Sequence, residues 1–294
     1  MIDTKVRRAT AWVQLALCLA VVLSSGCGAS AARTVAKSEP RSSGAADEEA
    51  APADVGNKAT ALTTRDAIVE SVKTAAVEGA GGGVKLSGRI LYRGAPPARR
   101  AINMSKDAKC IELHGGKSVF DEDLIVSAKG GVKNAFVRVH HGAPKRDYPM
   151  PEKPAVLDQE GCMFRPRVQG IRAGQKLLVG NADPVTHNVR SFPVLNAAFN
   201  FGQPPKTEPR VRVFERAERE IEIQCDFHLW MHAYVFVMDH PFYCVSDDSG
   251  TFAIEGLPTG EYTLESWHEK LGKKRKTVKV ADADVVDVDF TYPN

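Results

Sequence analysis

The segment Cys225-Asp226-Phe227-His228-Leu229-Trp230-Met231 constrains this chain more than any other part of its sequence. It separates residues 220–224 from residues 234–238, two apolar stretches that have the composition and length of strands. A thiol, an imidazole and a thioether therefore recur at every third position of one short loop between two strands. Such a loop can turn all three side chains toward a single point, so the fold has to close around that point.

A second histidine can reach the same point from a neighbouring strand end. His187 lies in Asn181-Ala182-Asp183-Pro184-Val185-Thr186-His187-Asn188, which follows a predicted strand at residues 177–179. Two imidazoles, a soft thiolate and a weak thioether are the donor set of mononuclear blue copper sites. The sequence therefore predicts one copper site, and its candidate ligands are His187, Cys225, His228 and Met231.

Over residues 168–239 this pattern resembles the cupredoxins, most of all the amicyanin and plastocyanin-like blue copper proteins. The resemblance implies a Greek-key β-sandwich that holds one copper ion, with His187, Cys225 and His228 as equatorial ligands and Met231 as the axial ligand. It also implies that Asn188 braces the two ligand loops and shields the thiolate, and that an exposed edge of His228 passes electrons.

The ligand loop departs from that family beside the thiolate. Asp226 and Phe227 stand where a proline is often found, and His232 directly after Met231 offers a further nitrogen. An acidic neighbour of the thiolate can shift the reduction potential or the colour of such a site. The resemblance therefore implies a type-1-like copper site that is perturbed.

The rest of the C-terminal two thirds has the alternation of half-buried strands and no long helical pattern. Val211, Val213, Ile221 and Ile223 occupy alternate positions. The predicted strands are residues 84–92, 123–126, 135–139, 177–179, 210–214, 220–224 and 234–238. The predicted fold class is therefore all-β, and residues 83–241 form the cupredoxin-like domain.

Residues 242–294 carry a separate signal. The runs 247–254 and 256–264 resemble the carboxypeptidase-regulatory-like or transthyretin-like β-sandwich module, and residues 88–96 resemble the first strand of that module. Two organisations follow. Residues 83–142 and 242–294 form one module that the central segment interrupts, or two sandwiches follow each other along the chain.

The N-terminus has the features of an export signal. Residues 1–27 contain three basic residues, then an apolar run at 11–23 that is too short to span a bilayer, and end in Cys27. The ending resembles the lipobox of bacterial lipoproteins, which implies lipidation of Cys27 and attachment to the outer membrane, facing the periplasm. Residues 28–82 lack aromatic residues and are predicted to form a disordered tether, with a short helix at 66–77.

The remaining cysteines fit an exported, oxidising environment. We expect Cys110 and Cys162 to form a disulfide, because neither belongs to the metal motif. Cys244 is then left over. The competing possibility is a bond between Cys244 and Cys225, which would remove the copper site.

The sequence favours electron transfer over catalysis. It contains no nucleophile–base motif and no phosphate-binding glycine loop, so we expect no enzyme activity. The net charge is +3, and loss of the leader brings it closer to zero, so nucleic acid is not an expected partner. The predicted function is to carry single electrons between redox partner proteins. The alternatives are copper storage or delivery, and a metal-free envelope scaffold; the oligomeric state stays open.

Overall fold

The computed structural model of this chain describes residues 83–281 and 285–293. The export signal, Cys27, the tether at 28–82 and the helix expected at 66–77 lie outside these residues. The described part consists of strands and one short helix, which confirms the predicted all-β fold class. Among the described residues, no helix combines the length and the apolar character needed to cross a membrane.

The central part of the chain forms a β-sandwich around one apolar core. Its larger sheet has the order β5 (Val168–Arg172), β11 (His232–Met238), β10 (Glu218–Gln224), β7 (His187–Phe192) and β8 (Asn200–Gln203). Its smaller sheet has the order β4 (Phe164–Arg165), β3 (Ala155–Gln159), β6 (Lys176–Val179) and β9 (Arg210–Val213). The core between them contains Leu157, Leu177, Ile223 and Val235, all fully buried.

Two further sheets combine strands from both ends of the described chain. One contains β13 (Thr251–Leu257), β1 (Val84–Tyr92), β16 (Val285–Asp287) and β17 (Phe290–Tyr292), with β1 at its centre. The other has the order β12 (Tyr243–Val245), β2 (Phe136–His141), β14 (Gly260–His268) and β15 (Gly272–Val280). Leu86 and Ile90 of β1 share one core with Phe252, Leu264 and Phe290. The N-terminal strands therefore pack with the C-terminal ones.

Alternation of side chains explains where the predicted strands formed. Strand β1 has the predicted bounds, and its apolar side chains at even residue numbers are buried: Val84, Leu86 and Ile90. Ile221 and Ile223 are buried in the same way in β10, while Glu222 between them is less buried. Each strand therefore presents one apolar face to a core, as a half-buried strand requires.

The predicted strand at residues 123–126 is wrong. Only an isolated bridge joins Val126 to Val132 in this region. The Asp123 carboxylate instead lies 2.7 Å from Lys270 Nζ and 3.6 Å from Arg100 Nη2. Asp123 therefore forms ion pairs with side chains from other segments, and its segment does not pair as a strand. A local pattern of apolar residues does not predict such ion pairs.

The one helix among the described residues is α1 (Ala108–Leu113), whose six residues are too few to show a helical periodicity in the sequence. Asp107 is its N-cap, and its Oδ1 accepts hydrogen bonds from the backbone N–H groups of Lys109 and Cys110. Cys110 is its one buried residue. The cap and the buried cysteine therefore fix the position of this short helix.

Candidate metal centre

Three strands of the larger central sheet bring three of the predicted ligands, His187, Cys225 and His228, together. Cys225, His228 and Met231 lie on the loop between β10 and β11, and His187 is the first residue of β7, which pairs with β10. The loop closes on itself, because Met231 N donates to His228 O at 2.8 Å and Cys225 N donates to Met231 O at 3.3 Å. Backbone hydrogen bonds within the loop therefore hold its shape.

The polar atoms of His187, Cys225 and His228 converge in the protein interior. The two imidazole Nδ1 atoms are 2.9 Å apart, and Cys225 Sγ lies 3.7 Å from Nδ1 of His228. Ligand atoms of all three residues lie within 4.8 Å of one another. His187 is 0% exposed, Cys225 1% and His228 4%, and Met231 is also fully buried. Water therefore has little access to the point where these atoms meet.

The outer nitrogen, Nε2, of each imidazole lies within hydrogen-bond distance of a carboxylate oxygen. His187 Nε2 lies 2.9 Å from Asp183 Oδ2, and His228 Nε2 lies 3.0 Å from Asp107 Oδ2. Because a carboxylate accepts hydrogen bonds and does not donate them, these contacts assign a proton to each Nε2. The inward Nδ1 atoms then present lone pairs to each other across 2.9 Å.

Facing lone pairs repel unless a proton or a cation lies between them. The neighbouring sulfur of Cys225 adds a soft donor, and the thioether of Met231 follows on the same loop. Two nitrogen donors and a thiolate in a dry pocket match the preferences of copper. The donor set of this site therefore fits a copper ion.

Contacts within the site shift the pKa values of these groups: they favour the thiolate of Cys225, which metal binding requires, and they favour protonation of the imidazoles. Burial opposes the thiolate, but hydrogen bonds with His187 and His228 lower the pKa of Cys225 to about 6. Burial likewise opposes charge on both imidazoles, but Asp183 and Cys225 raise the pKa of His187. Cys225 and Asp107 raise the pKa of His228. The thiolate and a protonated imidazole thus stabilise each other in the metal-free protein, and a bound metal ion would take the place of that inward proton.

Asn188 connects the two loops that carry the ligands. Its backbone N–H donates to Cys225 Sγ at 3.3 Å, and its side-chain Oδ1 accepts from the backbone N–H of Asp226 at 3.2 Å. The Asp226 side chain points outward, where its Oδ1 lies 3.6 Å from Arg190 Nη1. The backbone of Asp226, not its carboxylate, therefore takes part in bracing the site.

The buried side-chain amide of Asn181 holds the loop that leads to His187. Asn181 Nδ2 donates to the carbonyls of Val185 and Gln203, each at 2.9 Å. Asn181 Oδ1 accepts from the backbone N–H of Asp183 at 3.1 Å. The first asparagine of the upstream motif thus fixes the turn that carries both Asp183 and His187.

A segment from outside the central sheets covers the site. We name residues 101–120 the cap segment; a bridge between Ala101 and Phe120 closes its base, and it contains α1. A disulfide joins Cys110 of this segment to Cys162. Cys110 Sγ lies 3.7 Å from His228 Nε2. The expected exposed edge of His228 is therefore wrong, because Asp107 and Cys110 bury it.

Two other candidate donors do not join the site. His232 lies 2.9 Å from Glu222 Oε1 through Nδ1, and 2.8 Å from the Leu229 carbonyl through Nε2. Cys244 and Cys225 are both free cysteines, so the alternative bond between them is wrong. Burial raises the pKa of the Cys244 thiol to about 12, which keeps it protonated. Cys225 is therefore the reactive thiol of the two.

Sequence reasoning missed the two carboxylates of the site. Asp183 lies four residues before His187, so its place in the upstream motif was an available signal. Asp107 is 121 residues away from His228, and no local pattern links them. The cap segment that brings Asp107 to the site is a tertiary feature.

Comparison with known proteins gives matches among solved structures only. No protein-family model matches this chain, and no curated protein does either. The purple cupredoxin from Nitrosopumilus maritimus is 23% identical, with a TM-score of 0.25 and coverage of 29% of this chain and 99% of its own. Amicyanin from Paracoccus versutus is 20% identical, with a TM-score of 0.26 and coverage of 35% and 97%.

A copper-containing nitrite reductase from Thermus scotoductus SA-01 is 19% identical, with a TM-score of 0.26. The match covers 35% of this chain and 26% of the reductase. The structural neighbours are thus cupredoxins or contain copper. Similarity at these TM-scores carries no argument about function, which has to rest on the site itself.

Proposed function

We propose that this chain is an exported copper protein that carries single electrons between redox partner proteins. One observation carries the proposal: two imidazole Nδ1 atoms 2.9 Å apart face each other beside a buried thiol whose pKa is lowered to about 6. An arrangement that places two lone pairs and a thiolate together without water is stabilised by a soft cation.

Copper bound by His187, Cys225, His228 and Met231 would supply a one-electron couple between Cu(II) and Cu(I). The chain holds the donors in place before the metal binds. The closed ligand loop does this together with the hydrogen bonds of Asn188 to Cys225 and Asp226. Burial of all four side chains excludes water. A site that is held by the fold changes little when its charge changes, which favours rapid electron transfer.

The exposed residues beside the site suit a protein partner. Phe227 is 60% exposed and Leu229 77% exposed, one on each side of His228 in the ligand loop. We infer that a partner protein contacts these two exposed apolar side chains, which lie two positions apart on the ligand loop. The burial of His228 itself favours electron transfer over copper delivery, because delivery needs a ligand that can be exchanged.

We also propose that the sheets formed by β1, β2 and the C-terminal strands are one carboxypeptidase-regulatory-like module, into which the central sandwich is inserted. The pairing of β1 with β13 and β17 supports this organisation. Such a module would act as a rigid support between the tether and the copper sandwich.

Attachment through Cys27 to the outer membrane is part of the same proposal. Expression in a bacterial host with a radiolabelled fatty acid tests it, because the label should enter the protein and be lost in Cys27→Ser. Label in both proteins, or in neither, contradicts attachment at this residue.

The function is tested by adding Cu(II) to the purified chain and recording its visible spectrum. We expect an intense thiolate-to-copper charge-transfer band and one reversible one-electron wave in voltammetry. Cys225→Ser should abolish both. Cys244→Ser is the matched control, because Cys244 is the second free cysteine and should leave both signals unchanged.

Absence of the band in a folded protein with a free Cys225 thiol contradicts the proposal. Tight Cu(I) binding without the band would then favour copper storage or delivery. Absence of any copper binding would favour a metal-free scaffold.

A further inference from the structure

We propose that Asp107 and Asp183 are positioning residues that fix both imidazoles for metal binding and favour Cu(II) over Cu(I). This inference rests on the proposed function and adds to it the residues that set the reduction potential. It starts from one observation: the outer nitrogen of each candidate histidine ligand meets a carboxylate oxygen, at 2.9 Å and 3.0 Å.

Asp183 is held rigidly in the interior. Its side chain is 3% exposed, and its two oxygens accept hydrogen bonds at 2.7 Å from the backbone N–H groups of Gly161 and Cys162. The oxygen that accepts from Cys162 also meets His187 Nε2. A carboxylate with this many fixed donors cannot turn away, so it sets the orientation of the His187 ring.

One carboxylate oxygen of Asp107 contacts His228, and the other caps the N-terminus of α1. Oδ1 accepts from the first backbone N–H groups of the helix, and Oδ2 faces His228 Nε2. The disulfide from Cys110 to Cys162 fastens the same helix to the loop that also binds Asp183. Both carboxylates are therefore positioned by one connected piece of structure around the cap segment.

Two chemical consequences follow from this arrangement. A carboxylate on Nε2 keeps the proton there, leaves Nδ1 free as a donor, and raises the basicity of the ring. The charge of Asp183 lies where water has little access (3% exposed) and acts strongly on the site, whereas the charge of Asp107 (26% exposed) is partly screened by water. Because Cu(II) carries more positive charge than Cu(I), the pair favours the oxidised ion and lowers the reduction potential.

Capping alone would give a different result. If Asp107 only caps α1 and water screens its charge, removing that charge would leave the potential unchanged. The two possibilities separate in variants that keep the cap and remove the charge or the contact. Asn and Ser both serve as N-caps, but Ser is too short to reach His228.

The first measurement does not need copper. Long-range proton–nitrogen spectra of the metal-free full chain should show a slowly exchanging proton on Nε2 of both His187 and His228. In Asp107→Ser the Nε2 proton of His228 should exchange rapidly, while that of His187 stays protected. A proton on Nδ1 with a bare Nε2 in either ring of the unmodified chain would overturn the positioning role.

The second measurement is the ratio of Cu(II) to Cu(I) affinity, together with the visible spectrum. Asp107→Asn and Asp107→Ser should each lower this ratio at least tenfold, which raises a one-electron potential by about 59 mV. Asp123→Asn is the matched control, because Asp123 is similarly exposed (22% against 26%) and is bonded to Lys270 rather than to a histidine.

The outcomes separate this inference from the proposed function. Copper binding with an unchanged affinity ratio in both Asp107 variants overturns the role of the charge, while the proposed function stands. Protected Nε2 protons in a chain that binds no copper contradict the proposed function and the effect on potential, and leave the positioning of the two rings supported.

Discussion

At the scale of single residues, the acidity of Cys225 is set by its two histidine neighbours. Burial by itself would raise the pKa of this thiol, but hydrogen bonds with His187 and His228 outweigh burial and lower the pKa to about 6. Cys244 has no such neighbours, and burial raises its pKa to about 12. The same side chain is thus an acidic thiol in one place and an inert apolar group in another.

The metal-free protein should therefore show two thiol titrations that are far apart. As the pH rises through about 6, Cys225 loses its proton and the ultraviolet absorbance of the thiolate appears. Cys244 should contribute only near pH 12. A spectroscopic pH titration measures both steps. Cys225→Ser should remove the lower step alone, and a first step above pH 8 in the unmodified chain would contradict this account.

At the scale of elements, the cap segment accounts for the burial of the site. The ligand loop alone would leave the outer face of His228 to the solvent. Helix α1 covers that face with Asp107 and Cys110. Trp230 adds to the cover, since its Nε1 donates to the Cys162 carbonyl at 3.0 Å. A six-residue helix is marginal by itself, so its position depends on the disulfide between Cys110 and Cys162.

Replacement of both Cys110 and Cys162 by Ala should therefore loosen the cap segment. A disulfide that closes a loop of 52 residues restricts the unfolded chain, so its loss should lower the free energy of unfolding by about 2–4 kcal/mol. Urea unfolding measures this change. A chelator should also remove copper faster from the variant, because His228 becomes accessible.

Cys244→Ala is the control for this prediction, since it removes a free cysteine that closes no loop. The prediction is contradicted if the double variant loses copper at the unchanged rate.

At the scale of the whole described part of the chain, the central sandwich and the sheets that contain β1 and β2 are joined by a shared aromatic cluster. Phe136 of β2 stacks on Phe236 of β11 with ring centroids 3.9 Å apart. Trp267 of β14 meets the ring of Phe236 edge-on at 5.0 Å. Beside them, the guanidinium of Arg167 binds both carboxylate oxygens of Glu269, at 2.6 Å and 2.8 Å. This contact combines apolar burial with a desolvated ion pair.

Glu269→Ala should destabilise the fold by about 3–5 kcal/mol, because it leaves the guanidinium of Arg167 buried without its partner. The two side chains of the pair are 6% and 8% exposed. Thermal and urea unfolding followed by tryptophan fluorescence measures the loss.

Glu255→Ala is the matched control. It breaks the pair with Lys85, whose side chains are about half exposed, and should cost less than about 1 kcal/mol. Equal effects of the two substitutions would contradict a buried role for Arg167 and Glu269.

The sequence by itself determined the features that depend on neighbouring residues. Alternation of apolar side chains predicted β1 with its observed bounds and the strands on both sides of the ligand loop. The spacing of Cys225, His228 and Met231 predicted a loop with converging side chains, and His187 does meet Cys225 and His228 in the interior. These features were predictable because strand periodicity and loop spacing are local properties.

Only the tertiary structure decided what surrounds the site. The pairing of β1 with strands near the C-terminus, the cap segment over His228 and the contact of Asp107 with that ring join residues far apart in the chain. No local pattern encodes such contacts, because they depend on how the sheets pack. For the same reason the family resemblance implied an exposed edge of His228, whereas packing of the cap segment buries it.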